Sequence, residues 1–267
     1  MASVRFAAAV AGTSDWPTLR AACREAEAGG FDAFSRPDHL LAEGVLGPPG
    51  APLLECFTTI AALVPTTTRL RFLQTVTCSS FRNPALLAKM VATLDVISGG
   101  RMELGIGAGW LRAEYEAYGY EFPPMPVRLE QLHEALRVVK LLWSGESVDF
   151  GGDYFKLNGY ASNPRPVQQP WPTILYATSS EGGYRFAATQ CDEAFIQYGD
   201  QMNANSKRLK ELAGECGSQQ QVLHETNRLI AGKLGDSESV REKSAPCLLR
   251  GLRRARKVFD VSAAMMS

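Results

Sequence analysis

A chain of 267 residues that is 45% hydrophobic is long enough for one large α/β domain and can bury a substantial core. Lys and Arg together number 28, as do Asp and Glu, so the zero net charge excludes a whole-chain electrostatic footprint for nucleic acid. No apolar run approaches membrane-span length, and six scattered cysteines (Cys23, Cys56, Cys78, Cys191, Cys216, Cys247) without a CxxC exclude zinc spacing and read as idle thiols of a reducing cytoplasm.

The opening MASVRFAAAVAG has one arginine and a short apolar stretch. Its β-branched and aromatic content reads as a first buried strand, Val4–Val10, rather than as a leader. A helix follows over Asp15–Gly29, with Ser14 as the expected N-cap and Pro17 in the first turn. Phe31–Ser35 is a short strand, Leu53–Val64 a helix ending near Pro65, and Leu70–Thr77 a strand. Asn83–Ser98 is a helix with Pro84 early and Gly99-Gly100 stopping it, and Met102–Gly107 is the next strand. In Arg128–Trp143, Leu129, Leu132, Leu136, Val139 and Trp143 fall three and four residues apart and make one apolar stripe.

Residues 145–172 have no helical period and read as an excursion, with a hairpin over Val148–Leu157 and then the proline-rich NPRPVQQPWP. Thr173–Ala177 is a strand, Glu181–Gln190 a helix, and Asp192–Gln197 a strand. Asn203–Gly214 is helical, Val222–Ala231 strand-like, and Asp236 onward mostly helical. Alternating β and α segments argue for a parallel sheet flanked by helices, all in one domain over 1–267. Seven strands, with Val258–Ala263 as a candidate eighth, favour a (β/α)8 barrel of the TIM type over an open sheet. The tail 236–267 is arginine-rich and atypical, so the last unit either closes the barrel or leaves it incomplete. An incomplete barrel would expose a sheet edge, which a second copy would have to cover.

Chemistry in such barrels sits at the C-terminal strand ends. RPDHL puts Asp38 and His39 there, a carboxylate beside a side chain that titrates near neutrality; the pair is either catalytic or structural. LDVISGGRMELGIGAGW, residues 94–110, is not GxGxxG, because Trp110 stands where the third glycine belongs. Gly105, Gly107 and Gly109 permit either close backbone approach of something planar or bulky at the strand end or tight helix–sheet packing. In YATSSEGGYRFAA, Thr178, Ser179 and Ser180 precede a helix, where hydroxyls and free N–H groups make a phosphate site or a plain cap. There is no GxxxxGK[ST], no GxSxG and no HExxH, so nucleoside triphosphatase, serine hydrolase and metal chemistry have no support.

Taken together, FRNPALLAKMVATLDVISGGRMELGIGAGW (81–110), RAEYEAYGYEFPP, the helix VRLEQLHEALRVVKLLW and the later segment 164–196 resemble the bacterial luciferase-like superfamily of flavin- and deazaflavin-dependent oxidoreductases. The resemblance runs from about residue 4 to 200. It implies a TIM-type barrel with the cofactor ring at the strand C-termini. Thr75 and Val76 would lie against the ring, around a non-prolyl cis peptide, with Ala108, Gly109 and Trp110 flanking it. Thr178, Ser179, Ser180 and Gly183 would hold the phosphate, and His39, with Asp38 beside it, would handle a proton. ATSSEGGYRFAA and CDEAFI look closer to FMN-using monooxygenases, LGIGAGW and PDHL to enzymes of the deazaflavin coenzyme F420. The first reading is therefore reduced FMN, supplied by a separate flavin reductase, with O₂ and a small hydrophobic substrate. The second is hydride transfer with coenzyme F420. The third is a truncated, non-catalytic flavin-binding relative. The family also implies a homodimer.

Overall fold

The computed structural model describes residue 5, residues 7–178 and 180–196, and residues 208, 211, 212, 215 and 221–224. In chain order the main elements are β1 (Ala7–Ala9), α1 (Trp16–Ala28), β2 (Ala33–Arg36), α2 (Cys56–Leu63), β3 (Arg71–Gln74), β4 (Thr77–Cys78), α3 (Pro84–Ser98), β5 (Leu104–Gly107), α4 (Arg112–Tyr118), α5 (Met125–Trp143), β6 (Ser147–Gly151), β7 (Lys156–Ala161), β8 (Ile174–Ala177), α6 (Glu181–Gln190), β9 (Glu193–Ile196) and β10 (Gln221–His224). Strands β1-β2-β3 form one parallel sheet and β10-β9-β8-β5-β4 another, and a parallel bridge between Phe72 and Met102 links them into one curved wall. The β6–β7 hairpin is antiparallel and separate. This is a TIM-type arrangement whose barrel is not closed among the described residues. The candidate eighth strand Val258–Ala263 and the tail 236–267 lie outside them, as do most of Asn203–Gly214 and Val222–Ala231.

Local chemistry sets the boundaries. The cap of α1 is Asp15, whose carboxylate accepts from the Thr18 amide at 2.9 Å, and not Ser14 as expected. Trp16 and Pro17 take the first two helical positions. The first amide needing a side-chain acceptor is therefore that of Thr18, three residues after Asp15. Helix α2 starts at Cys56 rather than Leu53, because Glu55 accepts from the amides of Phe57 and Thr58 at 3.1 and 2.6 Å. Asn83 caps α3, and Gly99 ends it in the left-handed region, as the sequence indicates. Helix α5 begins at Met125, ahead of the apolar stripe, and α6 has the expected ends.

The expected single strand Leu70–Thr77 is in fact two. Strand β3 pairs with β2, β4 pairs with β5, and the Thr75–Val76 peptide between them is cis. Gly105 faces this break; a Cβ there would overlap the carbonyl oxygen of Gln74.

Alternation along the strands separates two layers. Phe34, Phe72, Leu104, Ile106, Ile174 and Tyr176 face outward and pack under Ile60, Leu63, Val91, Leu132 and Val139 of the helices. Each such buried side chain contributes about 1.5–3 kcal/mol. Inward, Ala33, Leu73 and Leu175 form a small plug with Ala7 and Val76. Below the plug, Arg5 pairs with Glu103 at 2.8 Å and reaches Glu193 at 3.7 Å, while Arg71 donates to Glu103. Burial pushes the Glu193 carboxyl up to about 7. Above the plug, toward the C-terminal strand ends, the inward positions include Ser35, Gly107 and Ala177, all small. Wholly buried Arg36 ties the ends of β1 and β2 together by donating to the carbonyl of Gly12 at 3.0 Å.

Candidate active site

Strand β2 delivers Asp38 and His39 to the mouth, and the two side chains part there. Buried Asp38 accepts both arms of Arg82, Nη1 to Oδ2 at 2.6 Å and Nη2 to Oδ1 at 2.9 Å, and also the Cys78 amide at 3.2 Å. Arg82 continues to Glu55 at 2.6 Å and stands 4.6 Å over the Phe57 ring. Burial pushes the Asp38 carboxyl above its ordinary value while Arg82 pulls it back. Asp38 thereby joins the β2 loop, the β4 end and the α2 cap, and makes no hydrogen bond with His39.

The partner of His39 is Glu114, in the first turn of α4. Its Oε2 lies 2.9 Å from His39 Nδ1, and its Oε1 accepts from the amides of Leu40 at 2.7 Å and Leu41 at 3.0 Å. Glu114 is buried, whereas the His39 side chain keeps 15% of its surface exposed. Trp110, 58% exposed, meets the His39 ring edge-on at 5.6 Å between centroids. Among the described residues His39 Nε2 makes no hydrogen bond. Sequence reading missed this pairing. Nothing in spacing links residues 39 and 114.

Beside this pair, Thr75, Val76, Gly107 and Ala177 meet on the inner face. Thr75 Oγ1 lies 3.4 Å from Ser35 Oγ, and a Cβ on Gly107 would lie 3.0 Å from Val76 and 3.7 Å from the Ala177 methyl. The close packing of Gly105 and Gly107 is strand to strand and not helix to sheet, since Gly105 faces the Gln74 carbonyl and Gly107 faces Val76 and Ala177. Gly109 has φ +75°, and a Cβ there would collide with the Tyr115 hydroxyl and the Cys78 sulfur. Tyr115 is itself fixed by Cys78 Sγ at 3.0 Å and by edge contacts to Phe122. The backbone at Gly109 is thereby held close against Tyr115 and Cys78.

The third group follows β8. The Ser180 amide donates to Thr178 Oγ1 at 3.2 Å, and the Gly183 amide donates to Ser180 Oγ at 3.1 Å, so Ser180 caps α6. A Cβ on Gly183 would overlap the Thr178 hydroxyl, which is why the turn needs glycine there. The first-turn amides of Glu181 and Gly182 have no intrahelical acceptor and carry the positive end of the helix dipole. Glu181 is paired with Arg208 and points its charge away into that pair. Ser179 lies outside the described residues.

A cleft of about 270 Å³ opens to one side, lined by Ser80, Phe81, Arg82, Tyr120 and Phe155 among others. It shares no residue with His39, Trp110 or the Thr178–Ser180 turn. Among the described residues no group of three or more His, Cys, Asp or Glu could hold a metal ion, and no helix is long and apolar enough to cross a membrane.

The family model for luciferase-like monooxygenases matches residues 1–237, and the chain belongs to that family. The FMNH₂-dependent dimethylsulfone monooxygenase of Pseudomonas putida is 33% identical over 113 residues, covering 42% of this chain and 31% of that protein. Pyrimidine monooxygenase RutA of Cronobacter turicensis is 34% identical over 174 residues, covering 61% of this chain and 44% of that protein. The chain thus spans less than half the length of these curated relatives. The coenzyme F420 dependent tetrahydromethanopterin reductase of Methanopyrus kandleri has the same fold, with a TM-score of 0.73 at 20% identity over 84% of this chain and 66% of that one.

Proposed function

We propose that this member of the luciferase-like monooxygenase family uses reduced FMN and O₂ to oxygenate a small hydrophobic organic substrate. The observation that carries the reading is the turn after β8. Two hydroxyls and two unspent amides converge at a helix N-terminus, beside a mouth lined inward by Ser35, Gly107 and Ala177. That combination suits a phosphorylated cofactor with a flat ring. Thr178, Ser180 and Gly183, with Ser179, would hold the phosphate, while Thr75, Val76, Ala108, Gly109 and Trp110 would flank the ring. The cofactor supplies electrons to oxygen, and the protein's part is to hold it, keep water away and move a proton at His39 Nε2. Two exposed aromatic rings, Trp110 and Tyr118, near Leu40 favour an apolar substrate. A separate flavin reductase would supply the reduced cofactor. Cys23, Cys56 and Cys78 are buried free thiols, which supports a reducing compartment such as the cytoplasm.

The second reading is hydride transfer with coenzyme F420. It is favoured by the carboxylate-held His39, a group able to give or take a proton beside a hydride site.

Ser180→Ala should weaken FMN binding by about 1.5–3 kcal/mol, roughly ten- to a hundredfold, the worth of a hydrogen bond to a charged group. A dissociation constant equal to that of the parent would put the phosphate elsewhere, and a thermal melt separates lost capping from lost binding. The homodimer is proposed from α3, whose Leu86, Val96 and Ile97 are exposed. Sedimentation should give twice the chain mass, and Ile97→Lys should return it to one chain. A parent protein that runs as a monomer would contradict the dimer.

A further inference from the structure

We propose that Glu114 is the positioning residue that fixes the tautomer of His39. Glu114 Oε1 accepts from two consecutive main-chain amides, those of Leu40 at 2.7 Å and Leu41 at 3.0 Å. Rotating the carboxylate would strip both donors of their acceptor, so Oε2 is held in place, 2.9 Å from Nδ1. A carboxylate only accepts; Nδ1 must therefore carry the hydrogen. The neutral ring then offers a lone pair at Nε2, on the side away from α4, and the charged ring offers a proton there. The edge of Trp110 packs against the imidazole at 5.6 Å and holds the ring plane. A flipped ring would turn a C–H toward Glu114 and forfeit the bond. The arrangement resembles the carboxylate–imidazole pairs of acid–base enzymes in its logic: one residue sets orientation and tautomer, the other moves the proton.

The same anchoring makes Glu114→Gln a specific probe. The two amides keep the side-chain oxygen where Oε1 now sits, so the NH₂ group replaces Oε2 and faces Nδ1. Donor would meet donor unless the ring moves its hydrogen to Nε2. The substitution therefore reverses the tautomer with almost no change of shape.

The test is NMR of the protein labelled with ¹⁵N in its histidine rings, recorded where His39 is neutral, with His39→Gln to assign the signals. The parent should show Nε2 as the unprotonated nitrogen, and Glu114→Gln should show Nδ1 instead. A parent with hydrogen on Nε2, or a tautomer unchanged in Glu114→Gln, would overturn the proposal. The value of the tautomer for turnover rests on the oxidoreductase reading above, whereas the NMR result needs neither cofactor nor substrate. If that reading holds, Glu114→Gln lowers kcat by ~10²-fold or more with KM within about threefold. Reversal with unchanged kcat supports the tautomer assignment and removes only the proton-handling role of His39.

Discussion

His39→Ala should lower turnover by ~10²–10⁴-fold, the range for losing a positioned acid or base, while binding of reduced flavin stays within about threefold. The effect belongs to the reaction rather than the fold, for reasons visible around the ring. His39 contributes one hydrogen bond and one ring-edge contact, and its surface is partly exposed. Without it Glu114 still accepts from Leu40 and Leu41, so the loop after β2 keeps its anchor. Steady-state kinetics beside a flavin titration checks this. Turnover equal to the parent's would take His39 out of the mechanism.

Gly105→Ala should destabilise the fold by about 3 kcal/mol or more, at the upper end of overpacking costs. A methyl there would occupy the position of the Gln74 carbonyl oxygen on the neighbouring strand, and backbone cannot step aside as a flexible side chain can. Either β3 and β5 part at the Thr75–Val76 break or β5 shifts away from its pairing with β8. Gly151→Ala, at an exposed strand position with nothing near its Cβ, is the control and should change stability by less than about 0.5 kcal/mol. Chemical denaturation reads both. Equal midpoints would mean that the two strands stand further apart than described.

Elements governed by nearby residues were legible in the sequence. Asn83, Pro84 and the glycine pair 99–100 bound α3; Ser180 and the segment to Gln190 bound α6; and the apolar stripe located most of α5. Where the deciding partner is distant, the sequence was silent. The division of Leu70–Thr77 reflects β3 belonging to β2 and β4 to β5, a matter of barrel curvature rather than composition. Helix α4 is seven residues long, too short for a period to show. Asp38 and His39, adjacent in the chain, have separate partners in Arg82 and Glu114, chosen by tertiary contacts 44 and 75 residues away. The glycines of GIGAG illustrate a subtler gap: their spacing did not show which neighbours they face, and Gln74, Tyr115 and Cys78 come to them only through the fold.

The central claim is that the turn after β8 and the mouth above the plug serve reduced FMN. Anaerobic titration of the purified protein with reduced FMN and, separately, with reduced coenzyme F420, followed by absorbance and fluorescence, tests it most directly. The account predicts saturable binding of reduced FMN, tighter than that of F420 and weakened in Ser180→Ala. Tight binding of F420 with none of FMN would contradict it and turn the reading to hydride transfer, and binding of neither would move the chain to a non-catalytic role.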